Sequence, residues 1–294
     1  MAGRSIHKIL LLACMGLSYG MQTLANTPII QPNLSASTKI APAYFGPNAF
    51  QVPDMLDGRT ATHMSINVAA DYYSGTLTHR GGDVTSGISC KCIIPLFSPR
   101  VNFVAWMPIA EYYYVNEEVN AIRRIPHEGS LSGWDSGDVY FSTDIQLFVQ
   151  QLHGADMVVR AALKSASANT YAKARYYDAP GYFFDAAIGR DFSLNDKSKV
   201  RIAMSSGFLC WQTDVGRQND AVMYGLQAAW QHEKLQVKAT WGGYMGWEGD
   251  GDRPMIAKVL LSYTLKALSI DAYYKIGIND WPFRQMSLAT TYTF

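Results

Sequence analysis

Charged side chains recur at every second position within runs that alternate between apolar and polar residues. Side chains two positions apart share one face of a strand, so each run would carry its charges on a single face. The sequence leaves two interpretations open. The charges pair across an enclosed interior and brace it, or they line an aqueous path in which a mild cationic excess favours small anionic solutes. The basic candidates are Lys91, Arg160, Lys164, Arg201, Lys238, Lys258 and Lys275, and the acidic ones are Asp71, Asp144, Asp156, Asp185, Asp191 and Asp271.

Hydrolase chemistry has little support in the residue pattern. A serine hydrolase needs a histidine close to its serine and a third group that orients the histidine. None of the five histidines that follow the predicted signal peptide has such a sequence neighbourhood: His63, His79, His127, His153 and His232. The motifs HExxH and GxSxG and a glycine-rich phosphate loop are absent. We therefore predict no catalytic residues and no cofactor, and a hydrolase is only the third candidate function.

Two acidic clusters have solvated loops as their simplest interpretation. Asp135 and Asp138 share a long predicted loop with His127. The stretch "WEGDGDRP" places three carboxylates among glycines, at Glu248, Asp250 and Asp252. Three oxygen donors in a flexible turn suit Ca²⁺, but the EF-hand spacing is absent. We predict no metal site and keep these three residues as weak candidates.

Composition excludes several classes of protein. Charged residues make up 17% of the 294-residue chain, whereas about a quarter is usual for a soluble protein. Aromatic residues are abundant at 13%, and the net charge of +1 provides no electrostatic footprint for nucleic acid. No long apolar run follows the N-terminus, which argues against a helical membrane protein.

The first 25 residues have the pattern of a secretory signal peptide. Arg4 and Lys8 precede the apolar core "ILLLACMGL", and "TLA" before Asn26 provides small residues for cleavage. Residues 26–58 then form a proline- and aromatic-rich segment without a clear period, predicted to be periplasmic. It is either a disordered lead-in or a segment that docks in a lumen or on an envelope protein partner. Tyr44, Phe45 and Phe50 are its candidate contacts.

From residue 59 to residue 294 the dominant pattern is a period of two. The sequence "MSLATTYTF" at the C-terminus shows it clearly, with Met286, Leu288 and Tyr292 on one face and Ser287 and Thr291 on the other. Similar runs of about ten residues predict twelve strands, at 62–75, 87–97, 100–114, 139–151, 155–166, 182–193, 199–212, 221–232, 235–247, 255–265, 268–278 and 286–294.

Short and long connections alternate between these predicted strands. If each strand crosses a slab, all the short turns lie on one side and all the long loops on the other. Exported chains with many such strands and aromatic strand ends are typical of transmembrane barrels, which close so that no backbone group is left unpaired in hydrocarbon. We predict an all-β fold: a transmembrane antiparallel β-barrel of about 12 strands with short periplasmic turns and longer extracellular loops.

With a signal peptide ending at Ala25 and the terminal "LATTYTF", the sequence resembles bacterial outer-membrane β-barrel proteins. The lead-in "KIAPAYFGPNAFQVPD" is similar to N-terminal stretches of uncharacterised barrels from Bacteroidota. The resemblance implies that Leu288, Tyr292 and Phe294 form the signal read by the barrel-assembly machinery. It also implies that the last strand closes against the first and that outer-membrane lipid surrounds the barrel.

Two functions follow as hypotheses. The first is passage or binding of small polar solutes, with anionic solutes as the narrower case. Its candidate contacts are Arg160, Lys164, Arg201, Lys238, Lys258, Lys275 and Asp271. The second is a structural or accessory subunit of an outer-membrane protein complex, in which the segment 26–58 docks a partner or plugs the barrel. The sequence does not distinguish between an open and a filled lumen.

Overall fold

A computed structural model describes residues 40–78, 81–123, 131–168, 174–177, 179–214 and 217–294 of the chain. The predicted signal peptide lies outside these residues, as do residues 26–39 of the lead-in, His79 and His127. The described strands are β1 (Ser65–Gly75), β2 (Asp83–Leu96), β3 (Ser98–Val115), β4 (Ser132–Asp135), β5 (Tyr140–Phe148), β6 (Asp156–Lys164), β7 (Gly181–Asn195), β8 (Ser198–Asp214), β9 (Arg217–His232), β10 (Leu235–Met245), β11 (Met255–Leu265), β12 (Leu268–Asn279) and β13 (Phe283–Thr293).

Twelve of these strands close into one antiparallel barrel, as the alternation in the sequence predicts. Each barrel strand pairs with the next one along the chain, and β3 pairs with β5. The short β4 is an addition to this barrel, since it pairs only with the end of β3. The last strand closes against the first: β13 pairs with β1 from Ser65 opposite Thr293 to Gly75 opposite Phe283. Closure satisfies the backbone groups of both terminal strands, so neither forms an open edge.

The two faces of the strands differ in exposure, because successive side chains point to opposite sides of the sheet. On β13, Met286 and Leu288 are 57% and 61% exposed, whereas the polar Gln285 is 2% exposed. On β13 the outward face is therefore apolar and the inward face polar, the reverse of a soluble sheet packed on a hydrophobic core. This arrangement suits a barrel surrounded by lipid.

Connections alternate between short and long around the barrel. Tight turns lie at one end of the barrel, which we call the short-turn end. They are formed by Phe97 and by residues 196–197, 233–234 and 266–267. A short helix, Gln150–His153, lies in the connection between β5 and β6 at this end. The opposite, long-loop end carries another short helix, Glu117–Ile122, together with β4. None of the helices in the described residues is long and apolar enough to cross a membrane.

Several strands extend beyond their predicted ends. β2 begins at Asp83 rather than residue 87, and β9 begins at Arg217 rather than residue 221. Pro95 and Pro108 do lie in strands, and the pairing of β2 with β3 shifts register beside both of them. Proline has no N–H to donate, so the hydrogen-bond ladder shifts at that point while the strand continues.

Residues 40–64, which we call the inner segment, run through the inside of the barrel. Near their start, the backbone N–H of Gly46 donates to the carbonyl of Ala174 at 2.8 Å, in the long loop after β6. Near their end, the hydroxyl of Thr60 donates to the carbonyl of Pro99 at 2.7 Å, beside the short turn before β3. The inner segment therefore crosses the lumen from the long-loop end to the short-turn end, where β1 begins.

Candidate functional site

The half of the lumen near the long loops is filled by aromatic packing around the inner segment. Phe45 and Phe50 are buried and contact each other edge to face, with ring centroids 5.4 Å apart. They pack in one cluster with Tyr177 from a long loop and with Trp211 and Tyr244 from the wall. Two of the three predicted aromatic contacts, Phe45 and Phe50, therefore lie against the chain's own barrel, whereas Tyr44 contributes a carbonyl that accepts from Arg123.

Charged residues secure this end of the inner segment through a group that we call the outer ion cluster: Asp83, Glu111, Arg123 and Arg175. All four are buried. Arg175 lies 2.7 Å from Glu111 and 3.3 Å from Asp83, and Arg123 pairs with Asp83. On the inner segment, the Asn48 side-chain amide donates to Glu111 at 2.9 Å. The cluster thus joins two strands, two long loops and the inner segment.

Tyr176 completes the hydrogen bonding of Glu111. Its hydroxyl donates to the second carboxylate oxygen at 2.8 Å. Burial, and after it the nearby charge of Glu111, raises the pKa of Tyr176 well above its ordinary value, so the hydroxyl stays protonated and continues to donate. Glu111 is therefore surrounded by donors, as a buried carboxylate requires.

A second group secures the other end of the inner segment, and we call it the lower ion cluster: Arg59, Asp156, Asp191 and Arg201. Arg59 lies 2.8 Å from both aspartates, and Arg201 lies 3.0 Å from Asp156 and 2.9 Å from Asp191. Arg201 also donates to the backbone carbonyl of Asp57 at 2.6 Å. Arg201, Asp156 and Asp191, which the alternation predicts to face inward, therefore brace the inner segment.

Arg160 and Lys164 have a similar bracing geometry. Arg160 makes a bidentate interaction with Asp185, at 2.7 and 2.8 Å, and donates to the backbone carbonyl of Asp54 at 2.9 Å. Lys164 lies 2.6 Å from Asp138 and donates to the carbonyl of Ala179 at 2.7 Å. For these candidates the structure supports the bracing interpretation.

The remaining basic candidates line a cavity of about 400 Å³ between the inner segment and the barrel wall. We call Lys91, Lys238, Lys258 and Lys275 the lysine cluster. Lys258 lies 3.1 Å from Asp54 of the inner segment. The ammonium groups of Lys258 and Lys275 also lie 4.2 and 4.4 Å from the ring centres of Tyr273 and Trp281. The volume is within the range of small-molecule sites.

Three aspartates on the wall also face this cavity. Asp71 accepts hydrogen bonds from Ser89, Tyr273 and Gln285 at 2.7, 3.0 and 2.9 Å. Asp271 accepts from Thr291 at 3.3 Å, and Asp144 from Ser142 at 2.8 Å. All of these donors are neutral groups, so the lumen contains an acidic region as well as the lysine cluster.

The weak metal candidates serve a loop turn. The carboxylate of Asp252 accepts from the backbone N–H groups of Glu248 and Gly249 at 2.8 and 3.2 Å, and Glu248 accepts from the hydroxyl of Thr213. In the part of the chain that the structure describes, no three His, Cys, Asp or Glu side chains converge as a metal site would require.

One serine–histidine contact was missed by the sequence reasoning. The hydroxyl of Ser198 and the Nδ1 atom of His232 lie 2.7 Å apart at the short-turn end. Cross-strand pairing of β8 with β9 brings them together, since Ser198 lies directly opposite His232. Among the described residues, His232 has no carboxylate within hydrogen-bonding distance, so a triad is not assembled.

The C-terminal residues occupy the seam of the barrel. Phe294 donates its backbone N–H to the carbonyl of Met64 at 2.9 Å, and its ring contacts Tyr292 edge to face at 4.9 Å. The side chains of Leu288, Tyr292 and Phe294 all face outward. Their position fits an aromatic belt at the short-turn end.

The contacts that hold the inner segment include residues that the sequence analysis did not single out. Asp54 and Arg59 lie in a stretch without periodicity, and Arg175 lies in a long loop. Of the charged residues in these contacts, Glu111 could have been predicted to face inward from the alternation of the sequence. It lies in register with the inward face of β3, opposite Gly87 of β2. An inward carboxylate near a strand end indicates a partner inside the barrel.

Comparison with known proteins supports the fold. No family model and no curated protein matches the sequence. An outer membrane channel from Pseudomonas putida F1 aligns over 82% of this chain and 100% of its own, with 10% identity and a TM-score of 0.52. The NanC porin aligns over 78% and 100% with 10% identity and a TM-score of 0.47. The transport unit of the autotransporter AIDA-I from Escherichia coli aligns over 84% and 95% with 8% identity and a TM-score of 0.48. The closed barrel and the alignment with the Pseudomonas putida channel show that this chain has the fold of an outer-membrane β-barrel.

Proposed function

We propose that this protein resides in the bacterial outer membrane and binds or passes small polar solutes, with a preference for anions. The observation that carries the proposal is the lysine cluster, which faces a cavity inside a closed barrel with an apolar outer surface. Cationic side chains that line an aqueous path attract and select anions. The channel from Pseudomonas putida supports the fold on which this proposal depends.

The location is part of the same proposal. Residues 1–25 would direct export and be cleaved, and lipid would surround the outward faces of the strands. Leu288, Tyr292 and Phe294 would be read by the barrel-assembly machinery. Their outward position at the end of the closing strand supports this assignment.

The inner segment determines how a solute would pass. It fills the long-loop half of the lumen, and at each end it is hydrogen-bonded to an ion cluster, through Asn48 to Glu111 and through the carbonyl of Asp57 to Arg201. Passage through the whole barrel therefore requires part of the segment to move, whereas binding in the cavity does not. We expect the intact chain to conduct weakly and a chain without the segment to conduct strongly.

Single-channel recording in planar bilayers tests the proposal. The purified intact chain is compared with a chain that lacks residues 26–58, and the anion preference is measured from the reversal potential in a KCl gradient. We expect a larger conductance after the deletion, and a several-fold lower anion preference when Lys258→Gln and Lys275→Gln are combined in the deleted chain.

Lys197→Gln in the deleted chain is the matched control. Lys197 lies in a short turn, is 68% exposed and pairs with Glu233, so its loss should leave the selectivity of the lumen unchanged. Silence of both the intact and the deleted chain, with the barrels still folded, would contradict passage.

A second candidate function is that of a structural or accessory subunit of an envelope complex. The observation that favours it is the number of buried contacts that fix the inner segment within the lumen. A stoichiometric partner that co-purifies from membranes, combined with absence of conductance, would favour this second function.

A further inference from the structure

The carboxylate that meets the lysine cluster belongs to the inner segment. Asp54 lies 3.1 Å from Lys258, and its side chain is 64% exposed within the cavity. Its backbone carbonyl accepts from Arg160, which fixes the main chain at this point. Lys258, Lys91 and Lys275 all attract the Asp54 carboxylate electrostatically.

The wall around Asp54 brings two like charges together. Lys258 and Lys275 lie directly opposite each other on β11 and β12, and like charges in this position destabilise a sheet. Among the residues that the structure describes, Lys91, Lys238 and Lys275 have no carboxylate within 4.0 Å. Asp71, Asp144 and Asp271 of the wall face the same cavity from beyond 4.0 Å. Among the described residues, Asp54 is therefore the one carboxylate in direct contact with the lysine cluster, and it belongs to a segment that is not part of the wall.

We propose that Asp54 occupies the position of the solute's anionic group and competes with it for the lysine cluster. This inference rests on the proposed function and specifies its substrate class: a compact anion with two or more negative charges. Such a solute would displace one carboxylate and interact with lysines that Asp54 does not reach. Binding would also release the middle of the inner segment from Lys258, which couples solute binding to movement of the segment.

The test measures binding rather than passage. Isothermal titration calorimetry in detergent compares the full chain with Asp54→Asn, using succinate as the dianionic probe and succinamide as its neutral counterpart. We expect succinate to bind the unaltered chain weakly and Asp54→Asn about tenfold more tightly, because the internal competitor is gone. Succinamide should bind neither protein.

Asp57→Asn is the matched control, since it removes one negative charge from the same segment at a residue outside the cavity lining. It should bind succinate as the unaltered chain does. Adding Lys258→Gln to Asp54→Asn should remove the gain. Heat-modifiable migration on gels identifies folded barrels, and Asp54→Glu, which keeps the charge, should retain the weak binding.

Equal affinities of the unaltered chain and Asp54→Asn, or an equal gain in Asp57→Asn, would overturn the inference. Absence of succinate binding in every folded variant would overturn it as well. A different result would contradict solute passage alone. If succinate binds Asp54→Asn more tightly but the deleted chain does not conduct, the binding site is retained and passage is excluded.

Discussion

Arg175 shows how a single residue holds distant parts of this chain together. Its guanidinium is fully buried between Asp83 at the start of β2 and Glu111 near the end of β3. A buried ion pair adds little net stability over an apolar replacement, but removal of one partner leaves the other charge uncompensated. Without Arg175, Asp83 keeps Arg123, but Glu111 keeps only the neutral donors Asn48 and Tyr176.

We therefore expect Arg175→Met to lower the free energy of unfolding by about 3–5 kcal/mol. Urea unfolding in lipid vesicles, followed by tryptophan fluorescence, measures the change. Lys197→Met is the control, because its pair with Glu233 is exposed and worth less than about 1 kcal/mol. A similar small effect of both substitutions would show that the outer ion cluster does not fix the long loops.

At the scale of the strand, the period of two predicted most of what the structure contains. It gave all twelve barrel strands and the inward face of β13 that carries Gln285 and Ser287. Strand ends were less predictable, because β2 and β9 continue past the apolar runs that mark them. There the backbone keeps its pairing, although the outward side chains no longer need to be apolar.

The inner segment shows the limit of such reasoning. Its prolines give it no period, and its contacts reach residues far along the chain, such as Glu111 from Asn48. Whether Lys164 braces the lumen or lines a cavity depended on Asp138, which lies in a loop with no pattern of its own. A sequence pattern places a side chain on a face, but its partner is determined by closure of the whole barrel.

The outward face of β13 allows a direct test of the lipid environment. Leu288 lies near the middle of the strand and is 61% exposed. Leu288→Lys should lower the free energy of unfolding in lipid vesicles by about 2–4 kcal/mol, the cost of a lysine near the bilayer midplane. Ala267→Lys, in the short turn before β12, should change it by about 0–1 kcal/mol. Equal effects at the two positions would contradict a lipid-facing β13.

For the molecule as a whole, the course of the inner segment places its first described residues at the long-loop end. The described chain starts beside the long loops: Ala43 lies against Gly251, in the loop between β10 and β11. If the long loops face the outside of the cell, Ala41 lies at the cell surface, whereas β1 begins 24 residues later at the opposite end.

Cysteine labelling of intact cells measures this directly. In a chain with Cys90, Cys92 and Cys210 replaced by serine, Ala41→Cys should react with a membrane-impermeant maleimide. Gly249→Cys in a long loop should react as well, whereas Lys197→Cys in a short turn should react only after the cells are opened. Labelling of Ala41→Cys only in opened cells would place the start of the inner segment on the inner side.

The inner segment also constrains the order in which the molecule is made. The segment runs from one end of the barrel to the other, where β1 starts, so we expect the seam between β1 and β13 to close around it during assembly. Arg160 and Arg201, which hold the carbonyls of Asp54 and Asp57, meet these partners only when the wall and the segment come together. In the finished barrel the strands surround a core that is itself the beginning of the described chain.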